Sequence, residues 1–251
     1  GKTAMVNDTW GDWGDKDFRT MMEDEHTLTT LVKEMYPNLP YFMFGHSMGS
    51  FIARDYITKY GDELAGVTLC GTSGVFPHVE EGIELLEKEV AAGHGEDPAT
   101  EAPNVVMGWM FGRCDEEIKL GNEWICSDPC VQYDHAHDPF DAFTKPTTNR
   151  SFLYFCQMIT AITGADWAKN VPTELPIFNI AGDQDPVGQY GEGVYQVSNW
   201  LAESGHAVET KLYPGYRHEI HNYEDLKDEV VEDIICFFDE QLDFDDDDDE
   251  E

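Results

Sequence analysis

The sequence predicts an α/β fold with a mainly parallel sheet and an inserted helical cap, and three observations carry that expectation. Short apolar runs close on glycine or turn residues, the pattern of strands buried on both faces. Segments with apolar residues at helical spacing lie between these runs. Strand and helix alternate along the chain, as they do in parallel crossover units.

Met21, Met22, Leu28, Leu31, Val32 and Met35 follow a helical repeat that stops at Tyr36-Pro37, since proline and the residue before it both disfavour helix. Tyr41-Phe42-Met43-Phe44, closed by Gly45, reads as the first strand, and Phe51, Ile52, Tyr56 and Ile57 as the helix after it. Val67-Thr68-Leu69-Cys70 is the second strand, ending in Gly71-Thr72-Ser73-Gly74. The third strand runs from Pro176 to Ala181 and ends at Gly182. A helix over Val194 to Leu201 leads to the fourth strand, Thr210-Lys211-Leu212-Tyr213. The last helix spans Tyr223 to Leu242, with Leu226, Val230, Ile234, Phe237 and Phe238 toward the core. Between the second and third strands lies a long insertion, Val75 to Asn170, with helical patches at Ile83 to Ala92, Val105 to Phe111 and Phe152 to Ile162. Loops at the carboxyl ends of strands are where such sheets bind ligands, so this insertion is the expected cap. The expected division is 1–74 for the first part of the core, 75–170 for the cap, 171–243 for the rest of the core and 244–251 for a tail.

That tail ends in seven consecutive acids, Asp245 to Glu251; they repel one another and bury nothing, so disorder is expected there. It supplies only a small part of the net charge of −36, which comes from 51 acidic against 15 basic side chains. Such a surface cannot neutralise a run of phosphates, so nucleic acid is excluded as a partner. Adsorption to an anionic membrane by charge is not expected, for the same reason. No run of about 18 apolar residues is present, so no stable membrane insertion is expected. The opening Gly1-Lys2-Thr3-Ala4-Met5 has no apolar core of a secretory signal. Six cysteines spread over 251 residues do not form a small disulfide scaffold, and a cytoplasmic location with reduced thiols is the expectation.

Chemistry enters at Gly45-His46-Ser47-Met48-Gly49, a G-x-S-x-G pattern set between a strand and a helix. A sharp turn there forces the serine into a strained backbone and stands its Oγ at the edge of the sheet, with small residues on both sides letting strand and helix approach. Serine is a weak nucleophile until a base takes its proton and a third group orients that base. In this architecture the acid comes next along the chain and the histidine last. The third strand delivers Gly182-Asp183-Gln184-Asp185-Pro186-Val187, and the fourth Tyr213-Pro214-Gly215-Tyr216-Arg217-His218-Glu219. Asp185 is the expected acid, with Asp183 as competitor or turn carboxylate. His218 is the expected base, with His221 as its weaker rival. His46 is assigned to packing.

On these three segments the sequence resembles the serine hydrolases of the α/β-hydrolase superfamily, and more narrowly the bacterial monoacylglycerol lipase and lysophospholipase-like group (serine aminopeptidase S33-type). The resemblance extends more weakly from Gly1 to about Leu242 and is least specific in the cap. It implies Ser47 as nucleophile, Asp185 as acid and His218 as base, with the backbone N–H of Met48 as an oxyanion donor. It further implies hydrolysis of a lipid-like carboxylic ester, a monoacylglycerol or lysophospholipid, through an acyl-enzyme without metal or cofactor. A peptidase or thioesterase on the same triad is the alternative, as is a catalytically silent, truncated hydrolase.

Two departures from the family pattern set further expectations. Only 46 residues precede Ser47, four strands are readable, and the sole His-Gly pair, His94-Gly95, lies inside the cap. The chain is therefore expected to begin inside the fold. The strand at 41–44 is then an apolar edge prone to pairing, and the second oxyanion donor is lost at a cost of about 10²–10³ in turnover. The alternative is a compensating loop around Trp10-Gly11-Asp12-Trp13-Gly14. Cys126, Cys130, His135 and His137, with Cys114 nearby, mix thiols and imidazoles, but their spacing matches no common zinc module, and structural thiols are the plainer reading. Val105, Val106, Met107, Trp109, Met110 and Phe111 read as the underside of the cap, as an acyl-chain tunnel, or as both.

Overall fold

A computed structural model describes residues 2–113, 119–141 and 145–242. The acidic tail 244–251 and Cys114 lie outside them. In chain order the elements are α1 (Lys2–Asn7), α2 (Thr20–Met35), β1 (Phe42–His46), α3 (Met48–Tyr60), β2 (Gly66–Cys70), α4 (Val79–Ala91), α5 (Ala102–Met107), α6 (Pro129–His137), α7 (Asn149–Ala161), α8 (Ala165–Ala168), β3 (Ile177–Gly182), α9 (Glu192–Glu203), β4 (Val208–Tyr213) and α10 (Lys227–Asp239). Several boundaries have a visible chemical cause. Thr148 caps α7 through Ser151 N–H, and Asp128 caps α6 through Cys130 N–H with Pro129 at the first helical position.

The four strands form one parallel sheet in the order β1-β2-β3-β4, with Phe42 opposite Gly66, Val67 opposite Ile177 and Ile177 opposite Val208. Side chains alternate between the two faces, as the two-residue strand period requires. Val67, Leu69 and Ile177 enter a core with Phe51, Ala53, Tyr56 and Ile57 of α3 and Val197 and Leu201 of α9. Cys70, Phe178 and Ile180 enter a second core with Val230 and Phe237 of α10. Crossovers of one hand that advance the sheet in one direction put α3 and α9 on the same face. α10 closes the other face, its Phe238 stacked on Phe42 at 4.4 Å and its Phe237 against Phe178 at 5.2 Å.

The helical repeat over residues 21–35 does form α2, but half of its stripe stays in solvent: Met22 is buried, while Leu28, Leu31 and Met35 are 52%, 53% and 65% exposed. Polar contacts hold this helix beside the buried Met22. Glu23 accepts from Lys59 and Tyr60, and His26 stacks on Tyr60 at 3.5 Å while meeting Glu63. Periodicity marks a helix without telling which face finds a partner. β1 occupies a sheet edge, and Phe44 on it is 43% exposed.

Helices α4 to α8 fall within the stretch proposed as the cap. There Val106 and Met110 are buried, and Val106 presses against Gly82 of α4, where an added Cβ would sit 2.2 Å from its methyl. Much of the apolar run 105–110 is thus spent on packing inside the cap.

Arg54 of α3 ties cap to sheet. Only 1% exposed, it donates to the carbonyls of Ser73 and Ile162 and lies over the Trp167 ring at 4.5 Å. Burial brings its guanidinium down to about 9. Arg54→Met leaves two buried carbonyls without their donor, and a loss of about 3 kcal/mol in a urea melt is expected. No described helix is long and apolar enough to cross a membrane.

Candidate active site

Strand β1 turns directly into α3 at Ser47, whose backbone adopts φ 54° and ψ −122°. A side-chain-bearing residue at positive φ is strained, and the turn holds it from both sides. Ser47 N–H donates to Cys70 O at 2.9 Å, while Ser47 O accepts from the Ser50 N–H at 2.9 Å and the Ser50 hydroxyl at 2.6 Å. The flanking glycines differ in role. A Cβ on Gly45 would lie 2.5 Å from Gly49 O, whereas one on Gly49 meets open space. Close approach of strand and helix therefore demands glycine at 45, and the expectation of crowding on both sides is corrected for 49. Met48 opens α3, so its N–H is among those at a helix start that lack an intrahelical acceptor.

The loops after β3 and β4 bring Asp185 and His218 together. His218 Nδ1 donates to Asp185 Oδ2 at 2.9 Å, and the two side chains are 2% and 0% exposed. Asp185 Oδ1 accepts from Val187 N–H at 2.8 Å, which fixes the carboxylate's rotation. Asp183 takes the turn role: its Oδ1 accepts from Gly215 N–H at 2.7 Å and pins the two loops to each other. His218 Nε2 is buried and has no hydrogen-bond partner among the described residues.

Gly71, at the end of β2, is a site residue that sequence reasoning read only as a strand terminator. It has φ +62°, and a Cβ there would sit 3.0 Å from His218 Cε1 and 3.5 Å from Asp185 Oδ2. Both conformation and space require glycine. Gly71→Ala is expected to cost about 1–2 kcal/mol of stability through the backbone and, by displacing the imidazole, about 10²-fold in kcat/KM. Thermal melts and steady-state kinetics separate the two effects.

A second unanticipated contact comes from the cap. The Trp124 ring lies 5.2 Å from the His218 ring. Its segment is latched down by Glu219 N–H to Ile125 O and by Arg217 to Glu123 O. Burial alone would raise the Glu123 carboxyl, but the N–H groups of Leu120, Lys119 and Gly121 hold it below the usual range. No periodicity in that stretch announces the contact: the Glu123 bonds to 119–121 are local, but the latch to Arg217 and Glu219 joins residues far apart in the chain.

His46 does more than pack. Its Nε2 meets the His218 carbonyl at 3.3 Å, and burial, reinforced by His218 and His221, holds it down at about 3, so the ring is neutral. His221 faces His46 edge-on at 4.5 Å, and Asp185 pairs with His218 instead. Cys126 is buried, Cys130 is exposed, His135 pairs with Asp141, and His137 bonds to Tyr133 O. The Trp10–Gly14 turn is tied to the cap through Trp13 N–H to Ser151 Oγ and Thr148 N–H to Gly11 O.

A parallel sheet flanked by helices, with a strained serine turn after one strand, is the architecture of the α/β-hydrolase class. The serine aminopeptidase S33 family matches residues 11–225, and the chain belongs to that family. It is 25% identical over 224 residues to a monoacylglycerol lipase of Mycolicibacterium smegmatis, covering 88% of this chain and 70% of that one. A highly thermostable carboxyl esterase of Bacillus coagulans, solved with glycerol, is 55% identical with a TM-score of 0.92, over 96% of this chain and 77% of that one. A lipase in an open form is 32% identical with a TM-score of 0.87, over 96% and 78%. The chain is a hydrolase enzyme with esterases and lipases as its relatives.

Proposed function

We propose that this protein hydrolyses small lipid-like carboxylic esters, monoacylglycerols foremost, through an acyl-enzyme on Ser47. The observation that carries the reading is the geometry at the strand ends. A strained serine follows β1, and a buried Asp185–His218 pair leaves the far imidazole nitrogen unbonded. With Asp185 holding the proton on Nδ1, Nε2 is the basic atom. His218 takes the Ser47 proton as Oγ bonds to the ester carbonyl carbon, and Met48 N–H meets the oxygen that gains charge. Breaking the carbon–oxygen bond releases the alcohol, which carries off the proton from Nε2. Water then gives a proton to Nε2 and bonds to the acyl carbon, and Ser47 leaves with that proton restored. The glycerol seen with the related carboxyl esterase and the monoacylglycerol lipase relative both favour a glyceride head group. Val106 and Met110 are buried in packing, whereas Val105, Met107 and Trp109 of the same run are half-buried and keep apolar surface that an acyl chain could meet.

The test is a panel of 1-monoacylglycerols, lysophospholipids, p-nitrophenyl esters, thioesters and aminoacyl amides on the full chain. Higher kcat/KM on monoacylglycerols than on the thioesters and amides is expected. Preference for an amide or thioester, or a folded sample that turns over none of them, sinks the reading.

A further inference from the structure

Behind His218, on the side away from the serine turn's helix, three groups with metal-binding chemistry converge: His46 at the end of β1, Cys70 at the end of β2, and His221 in the loop after β4. One ring nitrogen of each histidine and the Cys70 sulfur all lie within 4.8 Å of one another. We propose that His46, Cys70 and His221 form a binding site for a thiophilic divalent cation, Zn²⁺ above all, whose occupation inhibits the enzyme.

Four observations support it. The donor set, one thiolate and two imidazoles, is the kind that zinc selects. His221 Nδ1 is buried with no hydrogen-bond partner among the described residues, an unmet cost that a ligand would remove. Cys70 is completely buried and free of any disulfide, and the proposed mechanism does not use it. A way in exists: His46 and His221 are only half-buried, and the neighbouring Phe44, edge-on to His221 at 6.3 Å, is exposed on the edge strand.

Protonation is compatible with this. Burial lowers both imidazoles, so they are neutral, as ligation requires. Burial pushes the Cys70 thiol well up, and nearby Asp185 and Glu219 push it further. Binding must therefore displace the Cys70 proton, which leaves to water, while the same two carboxylates favour a dication. Three protein ligands leave a fourth position for water.

Inhibition follows from position. The His46 ring is 4.7 Å from the His218 ring, and its Nε2 holds the His218 carbonyl. A dication on His46 disfavours the imidazolium that His218 must become in each half-reaction, and drawing His46 toward the metal disturbs the backbone that carries His218. The inhibitory part rests on the proposed esterase function; the binding part does not.

The experiment is a Co²⁺ titration of the chelator-treated full chain, read by absorption, followed by displacement with Zn²⁺. A thiolate-to-Co²⁺ charge-transfer band that saturates near one equivalent is expected. Cys70→Ser should abolish the band, and His221→Asn should weaken binding about tenfold or more with an unchanged melt and unchanged ester turnover in chelator. Zn²⁺ should inhibit the unmodified protein about tenfold, reversibly with chelator, and spare His221→Asn. Absence of the band, or its survival in Cys70→Ser on an exposed thiol such as Cys130 or Cys236, overturns the site. Inhibition that persists in His221→Asn overturns the regulatory role. If Cys70→Ser does not fold, the His221→Asn titration decides alone. If the protein turns over no ester, the absorption titration still decides the site while the functional reading fails separately.

Discussion

Ser47→Ala is expected to remove ester turnover by about 10⁴-fold or more, with only the background from binding and oxyanion contacts remaining. Labelling by a fluorophosphonate should disappear with it, since both need Oγ. Folding should survive, because the turn is held by backbone groups: Ser47 N–H on Cys70 O, and Ser47 O under Ser50. Ser47→Gly sharpens the test. A backbone at φ 54° and ψ −122° costs a residue with a Cβ about 1–3 kcal/mol, and glycine escapes that cost. The glycine variant should therefore be as inactive as the alanine one yet melt higher. An alanine variant that retains turnover and labelling places the nucleophile elsewhere. A glycine variant that melts lower shows that the turn stores no strain.

Asp185→Asn should be nearly as damaging, about 10⁴-fold in kcat, although it changes one atom. Val187 N–H already donates to Oδ1, so the carboxamide keeps its oxygen there and turns its NH₂ toward His218 Nδ1. An NH₂ cannot accept, so Nδ1 must lose its proton and Nε2 must carry it. The base then presents N–H to Ser47 where it needs a lone pair. Substrate KM and the melting temperature should stay close to those of the parent, and fluorophosphonate labelling should slow with kcat. Asp183, by contrast, accepts from the Gly215 N–H and from the side chain of its neighbour Gln184, so Asp183→Asn should leave kcat within about threefold, since surface turn changes cost about 0.5 kcal/mol. Equal losses in the two variants would contradict the assignment of the acid.

How far each layer was legible depends on the range of the interactions behind it. The four strands and the helices α3, α7, α9 and α10 were visible as apolar runs and periodic faces, because burial imposes its pattern on neighbouring positions along the chain. The serine turn was visible too, since a glycine before the serine is demanded by contacts four residues away, Gly45 against Gly49 O. Asp183 and Asp185 follow the same strand two positions apart; in space, the difference is which of the two carboxylates meets His218 and which meets Gly215. The repeat over residues 21–35 marked α2 correctly but did not tell how much of its stripe is covered, because a repeat records a capacity for burial and not the presence of something to bury against.

What the sequence by itself determined is the parallel α/β class, the order in which the serine turn, the Asp185 loop and the His218 loop follow one another along it, and the acidic net charge. These are local or additive properties, fixed by periodicity, turn chemistry and charge. Only the tertiary structure decided that Gly71 makes room for the His218 ring, that Trp124 of the cap lies against it, that Arg54 spans cap and sheet, and that His46, Cys70 and His221 meet behind it. Each of these joins residues far apart in sequence through parallel crossovers. Parallel strands bring the ends of distant segments to one edge of a sheet, and no pattern within any one segment records what will stand beside it there.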